Sequence, residues 1–171
     1  MTADLTVDVV SGADWGVVER LHQLYVHDLS EFRGTLPAPT GRFVFKNDRY
    51  TPYVEDVTGD HAGYLAWQDD HPVGFALVHG ILEGPRMIGH FFVARGLRRT
   101  GTGRALALDV IARHERPWQI AFQEENPGAA RFWRRIAGEA FGDDWHEERR
   151  PVPGKPQIPP DVWIIAGGSP Q

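Results

Sequence analysis

Residues Met87 to His114 read MIGHFFVARGLRRTGTGRALALDVIARH. An apolar, aromatic run from Ile88 to Ala94 gives way to an Arg/Gly-rich turn, then to strong helix formers from Ala105 to Leu108 that extend to Ile111. The order is strand, turn, helix. Gly101 and Gly103 permit a tight turn and a close backbone approach, so the first free N–H groups of the helix can converge on one anion. Arg98, Arg99 and Arg104 add positive charge around those donors, and Thr100 and Thr102 share the turn. Phosphate or pyrophosphate is the ligand that this composition fits.

Three phosphate-binding patterns compete, and the letters separate them. A P-loop needs Gly, four residues, then Gly-Lys-Ser/Thr; Gly96 and Gly101 have the spacing, but Thr102 stands where the Lys belongs. A dinucleotide fingerprint needs Gly-x-Gly-x-x-Gly. Glu124 and Glu125 lie at a suitable distance, yet Leu106 occupies the third glycine position. What remains is Arg98-x-x-Gly101-x-Gly103 after a strand ending in Phe92-Val93, which resembles the acetyl-CoA motif of the GCN5-related N-acetyltransferase (GNAT) family. After a short strand-like run from Trp118 to Gln123, Asn126-Pro127-Gly128-Ala129-Ala130-Arg131-Phe132-Trp133 resembles that family's second cofactor motif. The two motifs stand in the family's order and spacing, and the resemblance covers roughly Val73 to Ala137.

The resemblance implies a mixed α/β fold with a central, mostly antiparallel, splayed sheet flanked by helices, as one domain over residues 1–171. It implies an acetyl-CoA-dependent N-acetyltransferase acting on the primary amine of a small molecule. Phe92, Val93, Arg98, Arg99, Thr100, Gly101, Thr102, Gly103 and Arg104 would hold the cofactor from one side, and Asn126, Ala129, Phe132 and Trp133 from the other. In relatives the pantetheine pairs with exposed strand edges, and a backbone N–H near Phe92 or Val93 would stabilise the oxyanion.

His90, three residues before Val93, falls where many relatives carry a Glu that relays a proton. Strand alternation puts His90 and Phe92 on one face, Phe91 and Val93 on the other. An imidazole of ordinary pKa near 6.5 is neutral at pH 7.5 and can accept a proton, so His90 is the candidate base; a half-buried histidine that only hydrogen-bonds in the sheet is the alternative. Trp133 falls where the family often has a Tyr proposed to protonate the leaving sulfur. An indole N–H donates a hydrogen bond but gives up no proton at ordinary pH. Tyr25, Asp28 and Phe32, with Glu31, are candidates to shape a pocket for a cationic amine, or to be a solvated helix end. A non-catalytic acyl-CoA-binding or sensor module is the rival function.

Composition narrows the remaining classes. With 171 residues, 42% hydrophobic and 24% charged, the chain suits one soluble domain with a real core. A formal net charge of -5 argues against nucleic acid as a partner. The absence of cysteine excludes thiolate ligands and an acyl-cysteine intermediate. Among the eight histidines, His22 and His27 miss the i, i+4 spacing and no His-Glu-x-x-His occurs, so no metal is expected. No leader and no run of 18 apolar residues is present, which suggests a cytoplasmic protein without a membrane partner; a homodimer is left open.

The flanks read as a strand over Leu5 to Val10, a helix capped by Ser11 and ending about His27, and a loop or broken helix from Asp28 to Phe45. A short helix over Asp48 to Val57 follows. Ala62 to Trp67 and Val73 to His79 read as an antiparallel hairpin that continues into the central strand, and Trp145 to Arg150 and Val162 to Ala166 as two late strands.

Overall fold

In a computed structural model that describes residues 4–55 and 58–167, the chain forms one seven-stranded sheet with helices on both faces. In chain order the elements are β1 (Leu5–Val9), α1 (Trp15–Arg33), α2 (Asn47–Tyr50), β2 (His61–Gln68), β3 (His71–His79), β4 (Arg86–Val93), α3 (Thr102–Ala112), β5 (Trp118–Phe122), α4 (Pro127–Phe141), β6 (Trp145–Arg150) and β7 (Asp161–Ala166). The strand order is β1-β2-β3-β4-β5-β7-β6. Every neighbouring pair is antiparallel except β4 and β5.

Alternation along the strands builds two cores. Leu65, Phe75, Leu77 and Phe92 turn to α1, meeting Val18, Leu21, Tyr50 and Tyr53. Tyr64, Ala66, Ala76, Val78 and Val93 turn to the other face, where Leu106 and Val110 of α3 and Trp133, Ile136 and Ala137 of α4 cover them. β5 and β7 contribute Ile120, Phe122, Val162 and Ile164 to that second core.

Two boundaries differ from the sequence reading. The first helix does not end at His27: it runs on to Arg33 and stops at Gly34, whose φ of 61° supplies the left-handed cap. Its entry is a short turn from Gly12 to Asp14, where the Ser11 hydroxyl and N–H both donate to the Asp14 carboxylate. The short helix expected over Asp48 to Val57 is a single turn, α2, followed by a 3-10 turn over Thr51–Tyr53; residues 56 and 57 lie outside the described part. Pro52 favours that break, because a proline supplies no N–H to continue the ladder.

The parallel pair is short. β4 meets β5 only at Arg86, Met87 and Ile88, opposite Trp118, Gln119 and Ile120. β4 then follows β3 through to Val93, whereas every residue of β5 pairs with β7. The two strands therefore separate as their partners lead them apart. A bulge assists: Leu77 opposes His90 and Val78 opposes Ile88, which leaves Gly89 as the extra residue on β4. The bulge also resets the alternation, so Ile88 belongs to the α3/α4 core while His90 turns to the α1 side.

Candidate functional site

Where β4 and β5 part, the edge of β4 offers backbone groups to any extended ligand. The Ala94 N–H donates to the Val73 carbonyl on β3 at 2.8 Å. Donors alternate along an antiparallel strand, so the Phe92 N–H also turns to β3, and those of Phe91 and Val93 turn into the opening. This selects Val93 from the expected pair as the donor that faces the gap. The Phe92 ring instead packs into the α1 core with Phe75.

The Arg/Gly turn follows at the carboxyl end of β4. Gly101 is the N-cap of α3 with φ of 100°, and an added Cβ there would meet nothing within 4 Å. Its freedom is needed for the backbone conformation, and the space above it is open. The N–H groups of Thr102, Gly103 and Arg104, in the first turn of α3, have no partner within the helix. Gly103 answers a different need: its Cα lies against Phe132 and Val93, where a Cβ would come within 3.4 Å of the Phe132 ring. The Thr100 hydroxyl donates to the Leu97 carbonyl and lies 3.0 Å from that of Thr102.

The three arginines expected around the phosphate divide. Arg98 donates from Nε to the Val93 carbonyl at 3.0 Å and pairs with Asp28; Arg104 pairs with Glu139 on α4 at 2.5 Å. Arg99, exposed with φ of 69°, meets no carboxylate among the described residues. Arg98 and Arg104 thus fasten the turn to α1 and α4, and Arg99 carries the available charge.

α4 follows β5 as α3 follows β4, and it meets the start of α3 through Phe132 against Gly103 and Glu139 against Arg104. Asn126 is its N-cap: its Oδ1 accepts from the Ala129 N–H at 3.1 Å, with Pro127 in the first turn. Phe132 is half-buried against Phe91, and Trp133 is only 6% exposed, edge-on to Phe91 at 5.0 Å. Trp133 is a core residue on the α3/α4 side of the sheet.

On the α1 face of the opening lies a pocket of about 180 Å³, lined among others by His22, Tyr25, Arg33, Arg49, Tyr50 and His90. The His90 Nδ1 is 3.4 Å from the Tyr25 hydroxyl, and the Tyr50 hydroxyl is 2.8 Å from Nε2 of His22. Arg33 closes one side by donating to the Gln123 side-chain oxygen at 3.2 Å, just beyond β5. Burial, the charge of Arg49 and the neighbouring His22 push the His90 imidazole down to about 3. Burial and Arg49 likewise bring His22, 2% exposed, to about 4. The expectation of an ordinary imidazole at position 90 is therefore corrected: desolvation among cations keeps it neutral far below pH 6.5. Burial raises the Tyr25 hydroxyl to about 12, so it remains a donor.

Of the other pocket candidates, Tyr25 reaches His90 but Asp28 and Phe32 do not. Asp28 sits between Arg95 and Arg98; partial burial would raise its carboxyl, yet the hydrogen bonds from Arg98 and Arg95 outweigh that and hold it below the usual range. Phe32 is 37% exposed and stands apart from the pocket lining. Glu124, just beyond β5, is paired with Arg134, whose hydrogen bonding keeps its carboxyl low. Sequence reading missed Arg33, Arg49, His22 and Tyr50, because they come from the end of one helix, a four-residue helix and a helix face with no shared motif. Among the described residues no group of three or more His, Asp or Glu is arranged to hold a metal, and no helix is long and apolar enough to cross a membrane.

Solved structures share this architecture. A probable acetyltransferase from Staphylococcus epidermidis superposes with a TM-score of 0.69 at 15% identity, covering 95% of this chain and 98% of that one. The ribosomal-protein-S18-alanine N-acetyltransferase from Escherichia coli gives 0.64 at 15% identity over 95% and 92%. NAA60 from Arabidopsis thaliana in complex with acetyl-CoA gives 0.63 at 13% identity over 95% and 97%. A comparison with curated proteins found no match. At these identities the likeness shows the fold. The family rests on the sequence profile described as the Acetyltransferase (GNAT) family, which matches residues 18–138. With a splayed parallel pair, a glycine-capped helix at its mouth and a profile match over most of its length, the chain belongs to the GNAT acetyltransferase family.

Proposed function

We propose that this protein is an acetyl-CoA-dependent N-acetyltransferase, acting in the cytoplasm, that moves an acetyl group to the primary amine of a small molecule by direct attack in a ternary complex. The observation that carries the proposal is the opening between β4 and β5, with the α3 N-terminus at its mouth and the His90 pocket on its α1 face.

The residues present fit the cosubstrate. The free N–H groups of Thr102, Gly103 and Arg104, with Arg99 beside them, suit a pyrophosphate. The unpaired β4 edge suits the amides of a pantetheine arm, with Asn126, Ala129, Phe132 and Trp133 on the α4 side. Acetyl-CoA supplies an activated acetyl thioester. The Val93 N–H donates toward the thioester oxygen as it becomes negative. His90, neutral throughout the working range, accepts a proton at an imidazole nitrogen as the carbon–nitrogen bond forms. It is too weak a base to deprotonate an ammonium, so the positive pocket admits the amine already neutral. Trp133 donates no proton, and a thiol of pKa about 8.5 leaves as thiolate without one.

Incubation with acetyl-CoA and a panel of amines, followed by release of free CoA, tests the proposal. Turnover with at least one amine is expected. Tight acetyl-CoA binding with no turnover on any amine would favour the non-catalytic binding module, which the weak base and the missing Tyr already favour more than an ordinary site would.

A further inference from the structure

The acceptor pocket is built for negative charge. Arg33, the last residue of α1, and Arg49, on the single turn of α2, both line it, although they lie on separate elements. Among the described residues no Asp or Glu lines it. Among the described residues neither arginine forms an ion pair: Arg33 donates to the neutral Gln123, and no side-chain hydrogen bond of Arg49 is found. Other arginines nearby are paired, Arg42 with Glu19 and both Arg95 and Arg98 with Asp28. The remaining polar groups described in the lining, His22, His90, Tyr25, Tyr50 and Thr35, add no negative charge at neutral pH. Nδ1 of the buried His22 has no hydrogen-bond partner among the described residues.

Two guanidinium groups facing one pocket repel an ammonium and attract an oxyanion, which each fork can hold through two parallel N–H donors. Resting on the acetyl-transfer proposal above, we infer that the acceptor is a small primary amine that also carries an anionic group, a carboxylate or a phosphate, held by Arg33 and Arg49 while the amine faces His90. The anion also offsets the local positive charge that would otherwise oppose a polar ligand. A diamine or polyamine meets no carboxylate among the described residues of this pocket.

Four amines of similar length separate the cases: propylamine, 3-aminopropanoate, 2-aminoethyl phosphate and 1,3-diaminopropane. With acetyl-CoA as donor, kcat/KM is expected to be at least about tenfold higher for one of the two anionic amines than for propylamine, and lowest for the diamine. The better of the two anionic amines identifies the anion. In Arg49→Gln and Arg33→Gln, both at exposed positions, that preference should fall about tenfold or more, through KM, while acetyl-CoA affinity stays unchanged. Calorimetry of the same amines with the CoA-loaded protein gives a readout independent of turnover. Selective binding of an anionic amine without any acetylation would retain this inference and defeat the enzymatic proposal. No preference for the anionic amines in either assay, or a preference untouched by both substitutions, would overturn the inference.

Discussion

Replacing His90 with Gln and following rate against pH tests how proton removal works here. An imidazole at its ordinary pKa would be charged below pH 6.5, and the rate would bend there. The buried His90, brought down to about 3 by desolvation and by Arg49, His22, His79 and Arg33, is protonated in only about one molecule in a thousand at pH 6. A depressed pKa removes the charged form from the window between about 3 and 6.5, so no inflection from His90 belongs between pH 6 and 8. Moving a proton from an amine of pKa near 10.4 to such an imidazole is uphill by on the order of 10 kcal/mol, whereas forming the free amine in solution at pH 7.5 costs about 4 kcal/mol. Solvent deprotonation wins. kcat/KM for the amine should therefore rise about tenfold per pH unit from pH 6 to 9, following the free-amine fraction. His90→Gln should keep this slope and acetyl-CoA affinity while kcat falls about 100-fold or more, the usual range for losing a positioned proton acceptor. The assay is initial-rate CoA release over that pH range, with acetyl-CoA affinity measured by calorimetry. A wild-type inflection near pH 6.5 that vanishes in the variant would refute the depressed pKa, and unchanged kcat in the variant would refute the role.

Gly101→Val should weaken acetyl-CoA binding in a protein that still folds, because the added side chain meets nothing in the free chain but strains a φ of 100° and fills the space above the α3 N-terminus; unchanged affinity by calorimetry would remove the phosphate from this turn. Asn126→Ala should lower unfolding stability by about 1 kcal/mol through loss of the Ala129 cap, and should also reduce acetyl-CoA affinity or turnover; a stability loss alone would reduce Asn126 to a cap. Acid should destabilise the fold through His22, whose folded pKa of about 4 lies below the ordinary 6.5: its contribution is complete above pH 6.5 and is lost as pH falls toward 4, by about 3 kcal/mol. Denaturant titrations of wild type and His22→Gln at pH 7.5 and 4 check it, since the variant's pH dependence should be flatter by that amount.

Local chemistry made much of this protein legible in its sequence. A strand into Val93, Gly101 at a turn that needs positive φ, and helix formers after it are all near-neighbour effects, and the second motif ending in Trp133 repeats the pattern. Together they gave the strand-turn-helix order, the family and the mixed sheet with three successive antiparallel strands. Tertiary structure decided what depends on distant partners. β7 inserts between β5 and β6, and its pairing with all of β5 is what draws that strand from β4. Arg98 and Arg104, alike with Arg99 in the sequence, lose their free charge to Asp28 and Glu139, which lie 70 and 35 residues away. The pocket beside His90 was hidden most completely: Arg33, Arg49 and His90 share no periodicity, and only the packing of α1 and α2 over β4 brings them together. That packing also lowers the pKa of His90, because desolvation and the field of two distant arginines are properties of the folded surroundings rather than of a histidine in a strand.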